Sequence, residues 1–187
     1  MTRPVSFLAL LIACVLARPT SAGAQRRPLL SLDASAGVGT GAGGKFRDPT
    51  GFALDALAAM RVRPAPAGAI VAGFAAAMQG MPSSGDDCLL TPSGECVPDF
   101  PLFYSAAALL GWEVAGVSGP SLRLLGGPAY YRADEGGAAF GLQGRLDVAT
   151  PALLRVALVV SVRGTVLPNF RGDALGLAAA GLGVRLQ

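Results

Sequence analysis

The 187-residue chain contains no histidine, only three cysteines and one tryptophan, and charged residues make up only 14% of it. Without histidine, the chain lacks the side chain that most often serves as a general base and as a metal ligand. The part of the chain after residue 24 also has no apolar run of the roughly 20 residues that a spanning helix requires. We therefore expect neither an enzyme nor a metal or other cofactor.

The first 24 residues have the three parts of a secretory signal peptide. Arg3 provides a positive start, residues 5–17 are an apolar run, and Ala22-Gly23-Ala24 supplies a cleavage site of small residues. This predicts residues 1–24 as the signal peptide and residues 25–187 as one mature domain. Two alternatives stay open: a retained N-terminal anchor, and a lipoprotein in which Cys14 carries the lipid.

Polar and apolar residues alternate along the mature chain, and a period of two is the signal of a β-strand. In residues 154–166, the even positions carry Leu, Val or Gly, whereas the odd positions include Arg155, Ser161 and Arg163. A helix would distribute both sets around its circumference. This segment therefore predicts a strand with one apolar face and one polar face.

Seven further segments alternate in a similar way, at residues 30–39, 52–63, 68–79, 102–114, 122–132, 138–148 and 173–187. Strands of about ten residues are long enough to cross a bilayer when they are tilted, and eight is the smallest even number that such barrels use. The sequence predicts an all-β fold: an eight-stranded, antiparallel, up-and-down transmembrane β-barrel. A helical membrane protein is the alternative, because the Ala-rich residues 65–78 fit either period.

The predicted connections alternate in length along the chain. The longer ones are residues 40–51, 80–101, 134–137 and 168–172, and the tight ones lie near residues 64–66, 116–120 and 150–151. Outer-membrane barrels combine long external loops with short periplasmic turns. Both ends of the mature chain would then lie on the periplasmic side.

Charged residues of the predicted strands share the polar face, which in a barrel is the face of the lumen. They are Asp33, Asp55, Arg61, Arg63, Glu113, Arg123, Arg145, Asp147, Arg155, Arg163 and Arg185. An eight-stranded barrel is only wide enough for side chains to fill, and buried charges must be paired. We therefore expect an ion-pair network that plugs the lumen. A narrow pore or a small-ligand binding or transport barrel is the alternative.

Aromatic residues cluster where predicted strands meet the longer loops. They are Phe52, Phe103, Tyr104, Tyr130 and Phe140, and Trp112 lies near the opposite ends of the strands. Aromatic girdles form where amphipathic rings meet lipid headgroups. The pattern predicts an aromatic rim at the end of the barrel that carries the longer loops.

In alternation, strand number and loop asymmetry, the chain resembles the small eight-stranded outer-membrane β-barrel proteins of the OmpA and OmpX type. The resemblance is architectural and covers the whole mature chain, but the chain ends in Arg185-Leu186-Gln187, where these proteins usually have a terminal aromatic. The resemblance implies the outer membrane of a Gram-negative-type bacterium, contact with outer-membrane lipid and lipopolysaccharide, and insertion by the barrel-insertion machinery. It also implies a structural or surface-interaction role through the external loops, with no external partner identified.

Two motifs have alternative interpretations. Residues 39–45 match a phosphate-binding pattern, but Phe46 stands where Ser or Thr would bind magnesium and a turn follows in place of a helix, so we interpret them as a Gly-rich loop. The acidic residues Asp86, Asp87, Glu95 and Asp99 predict a solvated loop, or one that bridges to lipopolysaccharide through a divalent cation.

The net charge of the predicted mature domain is close to zero. Cleavage removes Arg3 and Arg18, so that 13 of the 15 basic residues remain beside 12 acidic residues. This balance gives no support for nucleic acid binding.

We predict a disulfide bond between Cys88 and Cys96, the two cysteines that remain after cleavage. An even pair of cysteines in an exported chain is typical of a disulfide, and two free thiols are the alternative. Alkylation of the unreduced protein, followed by mass spectrometry, should leave both cysteines unmodified. Stoichiometric labelling of both would contradict the prediction, and labelling after reduction serves as the control.

Overall fold

The computed structural model describes residues 29–43, 46–65, 68–82, 88–90, 92, 96–98, 100–115, 119–134 and 136–187. Residues 1–28, with the predicted signal peptide and Cys14, lie outside the described residues. The strands are β1 (Leu30–Gly43), β2 (Phe46–Ala65), β3 (Gly68–Gly80), β4 (Cys88–Leu90), β5 (Cys96–Pro98), β6 (Leu102–Ala115), β7 (Ser121–Ala133), β8 (Ala138–Ala149), β9 (Val156–Phe170) and β10 (Asp173–Leu186). No helix among the described residues is long and apolar enough to cross a membrane.

Eight of these strands close into one barrel in the order β1-β10-β9-β8-β7-β6-β3-β2. Each strand pairs antiparallel with both of its neighbours, and β1 pairs with β10 to complete the closure. The predicted fold class is therefore confirmed, and the helical alternative is wrong because the Ala-rich residues 68–80 form β3. We call the end of the barrel at Leu30 and Leu186 the terminal end, and the opposite end the loop end.

The period of two in the sequence becomes an inner and an outer face, and β9 illustrates this most clearly. Leu158, Val160 and Val162 point outward and are 65%, 49% and 47% exposed, whereas Ser161 and Arg163 are buried in the lumen. Among the described outward side chains of the barrel strands, charge occurs at Arg63, Arg132 and Asp173, close to strand ends. The circumference of the barrel between its two ends is therefore apolar.

Several strands extend into residues that we predicted as loops. β1 continues to Gly43 and β2 begins at Phe46, so most of the predicted loop 40–51, including residues 40–43 of the Gly-rich motif, is strand. β9 continues to Phe170, which leaves Arg171 and Gly172 as the turn. Conversely, the connection after β8 spans residues 150–155. The predicted contrast between long and tight connections is thus wrong at these places. Glycine hides the alternation in residues 40–43, whereas β9 continues through residues 168–170, which contain no glycine.

The connection between β3 and β6, residues 81–101, contains the short hairpin of β4 and β5. Its backbone register places Cys88 opposite Pro98 and Leu90 opposite Cys96, so the two cysteines are not directly opposed. The side chains of both cysteines lie outside the described residues, and the disulfide stays a prediction. The acidic residues Asp86, Asp87, Glu95 and Asp99 also lie outside the described part of this connection.

Glycines at inward positions allow neighbouring backbones of the barrel to approach closely. A Cβ atom on Gly111 in β6 would lie 1.9 Å from the carbonyl oxygen of Leu124 in β7. On the same pair of strands, the register passes over Gly127 and Pro128, and proline has no N–H to contribute to the ladder. Gly144 on β8 faces outward instead, and its Cβ would meet nothing within 4 Å.

These environments predict opposite effects of adding one methyl group. Gly111→Ala should destabilise the barrel by about 1–3 kcal/mol, because the methyl group overlaps the backbone of β7. Gly144→Ala should leave the free energy of unfolding unchanged or raise it by up to about 1 kcal/mol, because glycine in a strand is less favourable than alanine. Denaturant unfolding in detergent, followed by circular dichroism, measures both. Equal destabilisation by the two substitutions would contradict this account of the β6–β7 contact.

Candidate functional site

Nine charged side chains in the lumen form one continuous series of salt bridges, which we call the ion chain. Its members follow each other in the order Arg61, Glu113, Arg123, Asp33, Arg185, Asp147, Arg145, Asp55 and Arg163. Positive and negative groups alternate along the whole series. Seven of the eight barrel strands contribute a member, so the ion chain connects the walls of the barrel across its interior.

A bidentate contact of the ion chain joins the first strand of the barrel to the last. Arg185 donates two hydrogen bonds to the carboxylate of Asp33, from Nε at 2.9 Å and from Nη2 at 2.8 Å. This fork-to-fork geometry gives both strength and a defined orientation. Arg185 also donates to Ser121 Oγ at 3.1 Å, and its exposed fraction is 0%. The guanidinium is therefore fully desolvated and held from several sides.

Arg123 links Asp33 to a second carboxylate nearer the β6 wall. Its Nη1 donates to Asp33 at 3.2 Å, and its Nε and Nη2 donate to one oxygen of Glu113 at 3.1 and 2.8 Å. Arg61 donates to the other oxygen of Glu113, and Ser31 Oγ accepts from Arg123 at 3.0 Å. Removing Arg123 would take one of two arginine partners from each of the buried carboxylates Asp33 and Glu113.

The rest of the ion chain runs from β8 toward the middle of the barrel. Arg145 donates through Nε to Asp147 at 2.8 Å and through Nη1 to Asp55. Asp55 also accepts from Arg163 at 3.2 Å, and Arg163 donates to Gln79 Oε1 at 3.3 Å. Because Gln79 lies on β3, this last hydrogen bond brings the eighth barrel strand into the network.

Toward the loop end, the lumen changes from charged to polar and then to apolar. Tyr131 donates to Gln143 at 3.3 Å and shares a 2.8 Å hydrogen bond with Thr165. Beyond this layer, the mouth is filled by side chains that are at most 6% exposed, namely Met81, Phe103, Leu167, Phe170, Leu175 and Leu177. The rings of Phe103 and Phe170 lie 5.8 Å apart. We call this group the apolar plug.

Little space remains between these layers. A cavity of about 10 Å³ lies beside Ser35, Asp55, Ser161 and Arg163, which is room for roughly one water molecule. Two buried nitrogen atoms, Nε2 of Gln143 and Nη2 of Arg145, have no hydrogen-bond partner among the described residues. No cluster of three or more His, Cys, Asp or Glu in the described ranges could hold a metal ion. Each carboxylate of the ion chain is engaged by arginine, so none is available as a nucleophile or base.

The prediction that Arg155 belongs to the lumen set is wrong, because the structure places this residue outside the lumen. β9 begins at Val156, and Arg155 lies in the preceding turn with an exposed side chain. Arg63, which we also predicted on the inner face, lies on the exposed outer face, because the register of β2 and β3 shifts between Arg61 and Arg63. The other nine predicted charges lie in the ion chain. The alternating pattern includes residue 155, but it does not reveal that the chain enters the barrel wall only at the next residue.

The prediction that Phe103 belongs to the aromatic rim is wrong, because this residue is 1% exposed and belongs to the apolar plug. Phe52, Tyr104, Tyr130 and Phe140 lie on the outer face near the loop end and are 37%, 44%, 40% and 73% exposed. Phe100, which the sequence did not single out, stacks on Phe52 with ring centroids 5.9 Å apart. Trp112 lies on the outer face toward the terminal end.

Sequence reasoning also missed the uncharged polar residues that complete the network. Ser31 and Gln143 occupy the same face of their strands as the charges, so the alternation itself contained the signal. Gln79 had no such signal, because β3 is apolar on both faces in the sequence. Gly39 on β1 makes room for the side chain of Gln79, because a Cβ atom on Gly39 would lie 2.5 Å from Gln79 Nε2.

The barrel is similar to a solved structure, the crystal structure of Neisserial surface protein A (NspA). The TM-score is 0.62 at 15% identity, over 85% of this chain and 97% of that one. Two crystal structures of Ail, the attachment invasion locus protein of Yersinia pestis, align with TM-scores of 0.44 and 0.46, at 15% and 12% identity, over 84% of this chain and 99% and 97% of theirs. The first of these is a complex with the heparin analogue sucrose octasulfate.

No protein-family model matches the chain, and no curated protein matches its sequence. At 15% identity, the likeness to NspA shows the fold alone, which is a small eight-stranded β-barrel. The architecture that the sequence resembles, that of the small outer-membrane barrels of the OmpA and OmpX type, is thereby confirmed.

Two arginines on the same strand predict different contributions to stability. Arg123→Ala should lower the free energy of unfolding by about 3–5 kcal/mol, because it leaves the buried carboxylates of Asp33 and Glu113 without their shared partner. Arg132→Ala, on the exposed outer face of β7, should change it by no more than about 0.5 kcal/mol. Denaturant unfolding of both variants in detergent measures the difference. Similar values for the two would show that the ion chain carries no stability.

Proposed function

We propose that the protein is an outer-membrane β-barrel with a closed lumen, and that it acts as a structural or surface-interaction protein through its loop end. The apolar circumference supports the membrane location, because a bilayer-spanning barrel needs an apolar band bordered by aromatic residues. Here a set of aromatic side chains borders it at the loop end, and Trp112 lies toward the terminal end. The fold of NspA, a surface protein, agrees with this location. In this arrangement the terminal end faces the periplasm and the loop end faces outward.

The observation that carries the closed lumen is the ion chain together with the apolar plug. Arg123 and Arg185 are 1% and 0% exposed, and both are held by carboxylates on other strands. A permeating ion would have to displace such pairs, and breaking one buried pair costs about 3–5 kcal/mol. It would then meet the apolar plug, which offers no replacement for the water of hydration of the ion.

The loop end supports an interaction role, because its connections are anchored to the barrel. Met81, at the start of the connection that carries β4 and β5, is fully buried in the apolar plug, and its N–H donates to Pro101 O at 3.3 Å. Phe100, at the other end of this connection, stacks on the outer face of Phe52. The β4–β5 hairpin is thus attached at one base to the inside and at the other to the outside of the wall.

The partners follow from this location and are part of the same proposal. Tyr104, Tyr130 and Phe140 would face outer-membrane lipid and lipopolysaccharide at the loop end, where aromatic rings suit the headgroup region. Insertion would depend on the barrel-insertion machinery of the outer membrane. A catalytic role has no support in the lumen, since its carboxylates are held by arginines.

Planar-bilayer recording tests the closed lumen directly. The purified protein, with folding verified by a boiling-dependent gel shift and by a strand signal in circular dichroism, should give no stable conductance steps. The reason is that buried ion pairs and the apolar plug fill the lumen, so a permeating ion would have to displace them. A general porin in the same bilayers provides the positive control.

Reproducible single-channel steps from the folded protein would overturn the closed-lumen proposal and favour the narrow pore. Steps that persist in Arg123→Ala with altered conductance would further locate the conducting path in the lumen. Silence of the folded protein beside a conducting control supports the structural or interaction role.

A further inference from the structure

The turn between β8 and β9 has a backbone conformation that its residues disfavour. Leu153 and Val156 exchange two backbone hydrogen bonds of 2.8 and 2.9 Å, so that Leu154 and Arg155 are the two central residues of a tight hairpin turn. Both have positive φ, 52° and 73°. Turns of this kind ordinarily carry Asn-Gly or Asp-Gly, because a bulky side chain is strained in the left-handed region.

Contacts from both sides hold this turn in place. Thr150 N–H donates to Leu158 O at 2.9 Å, and Leu158 N–H donates to Thr150 Oγ1 at 3.0 Å. The N–H of Gln187, which follows β10, donates to Arg155 O at 2.9 Å. The turn therefore presents Leu154 and Arg155 from a fixed base, and strain held by surrounding contacts is characteristic of functional segments.

The turn also exposes its two leucines to an unusual degree. Leu153 is 78% exposed and Leu154 is 91% exposed. They continue the apolar outer wall without interruption, because Leu32, Leu186 and Val156 are directly paired across β1, β10 and β9 and are themselves exposed. The apolar surface thus extends beyond the first residue of β9 and includes the turn that precedes this strand.

The exposed charged side chains at the terminal end are positive in the part of the chain that the structure describes. Arg63 and Arg155 are exposed there. The acidic side chains at this end, Asp33, Glu113 and Asp147, are all buried and engaged in the ion chain. A negatively charged group that approaches the turn therefore meets Arg155 with no acidic side chain of the described residues exposed beside it.

We propose that residues 153–155 are a lipid-binding element for anionic phospholipid in the leaflet at the terminal end. Leu153 and Leu154 insert among the acyl chains, and the guanidinium of Arg155 binds the headgroup phosphate, for which its planar donor geometry is suited. This inference rests on the proposed membrane location. It also accounts for a strained Leu-Arg pair at a turn where Asn-Gly would connect the strands with less strain.

A double substitution separates the binding role from the connecting role. Leu154→Asn/Arg155→Gly installs the residues that the turn conformation favours, so the folded barrel should be at least as stable in detergent as the unchanged protein. The same variant should lose its selectivity for anionic lipid. A lower stability of this variant in denaturant unfolding would contradict the strain argument on which the proposal depends.

Tryptophan quenching measures the selectivity at the turn itself. Trp112 is the only tryptophan of the chain, so Trp112→Phe combined with Leu153→Trp places a single reporter in the turn. In phosphatidylcholine vesicles, brominated phosphatidylglycerol should bind there about fivefold more tightly than brominated phosphatidylcholine, as expected for one arginine near a headgroup. Adding Arg155→Gln should abolish this preference while leaving the quenching by phosphatidylcholine unchanged.

A matched reporter separates this inference from the proposed membrane location. Trp112→Phe combined with Leu158→Trp places the tryptophan on the outer wall, where both brominated lipids should quench it equally. If this reporter in folded protein is quenched by neither lipid, the membrane proposal itself fails. If it is quenched and the reporter at residue 153 is not, or if that reporter shows no preference that depends on Arg155, the lipid-binding element is overturned.

Discussion

The structure depends on the requirement that a charge removed from water must meet an opposite charge. An eight-stranded barrel encloses too little space for bulk water, so every charged side chain that points inward has to find its partner across the lumen. The ion chain satisfies this requirement chiefly through Arg123, Arg145 and Arg185, each of which contacts two carboxylates. Arg123 is an example, because its single guanidinium donates hydrogen bonds to Asp33, Glu113 and Ser31.

The same requirement divides the molecule into three environments. Charge lies inside at the terminal end, apolar side chains close the mouth at the loop end, and an apolar surface surrounds both. Glycines such as Gly39 and Gly111 make the compact interior possible, the first by giving space to Gln79 and the second by allowing β6 and β7 to approach. The barrel wall and its contents are therefore adjusted to each other residue by residue.

Much of this was predictable from the alternation of residue types, because a period of two determines which side of a strand each residue occupies. The eight barrel strands and nine of the eleven predicted lumen charges follow from it. Phe103 was assigned to the rim from its place at a strand end, although its parity with Ser105 and Glu113 already indicated the inner face. The pairing of the charges could not be predicted, because Arg145 reaches Asp55 on a distant strand and only the closed geometry of the barrel brings them together. Arg155 and the strained turn could not be predicted either, since alternation does not mark where a strand begins.

The contact between Asp33 and Arg185 has a consequence for how the molecule is assembled. These residues are 152 positions apart in the chain, and Asp33 pairs with Arg185 in the register of β1 and β10. Contacts between residues so distant in sequence form late, because the entropy of closing a long loop must be overcome first. A barrel that has not yet joined its first and last strands holds Asp33 without its bidentate partner Arg185, and it also has two open sheet edges. Closure of the seam removes both defects in one step, which makes the final stage of assembly strongly cooperative and leaves little stability to any partly assembled form.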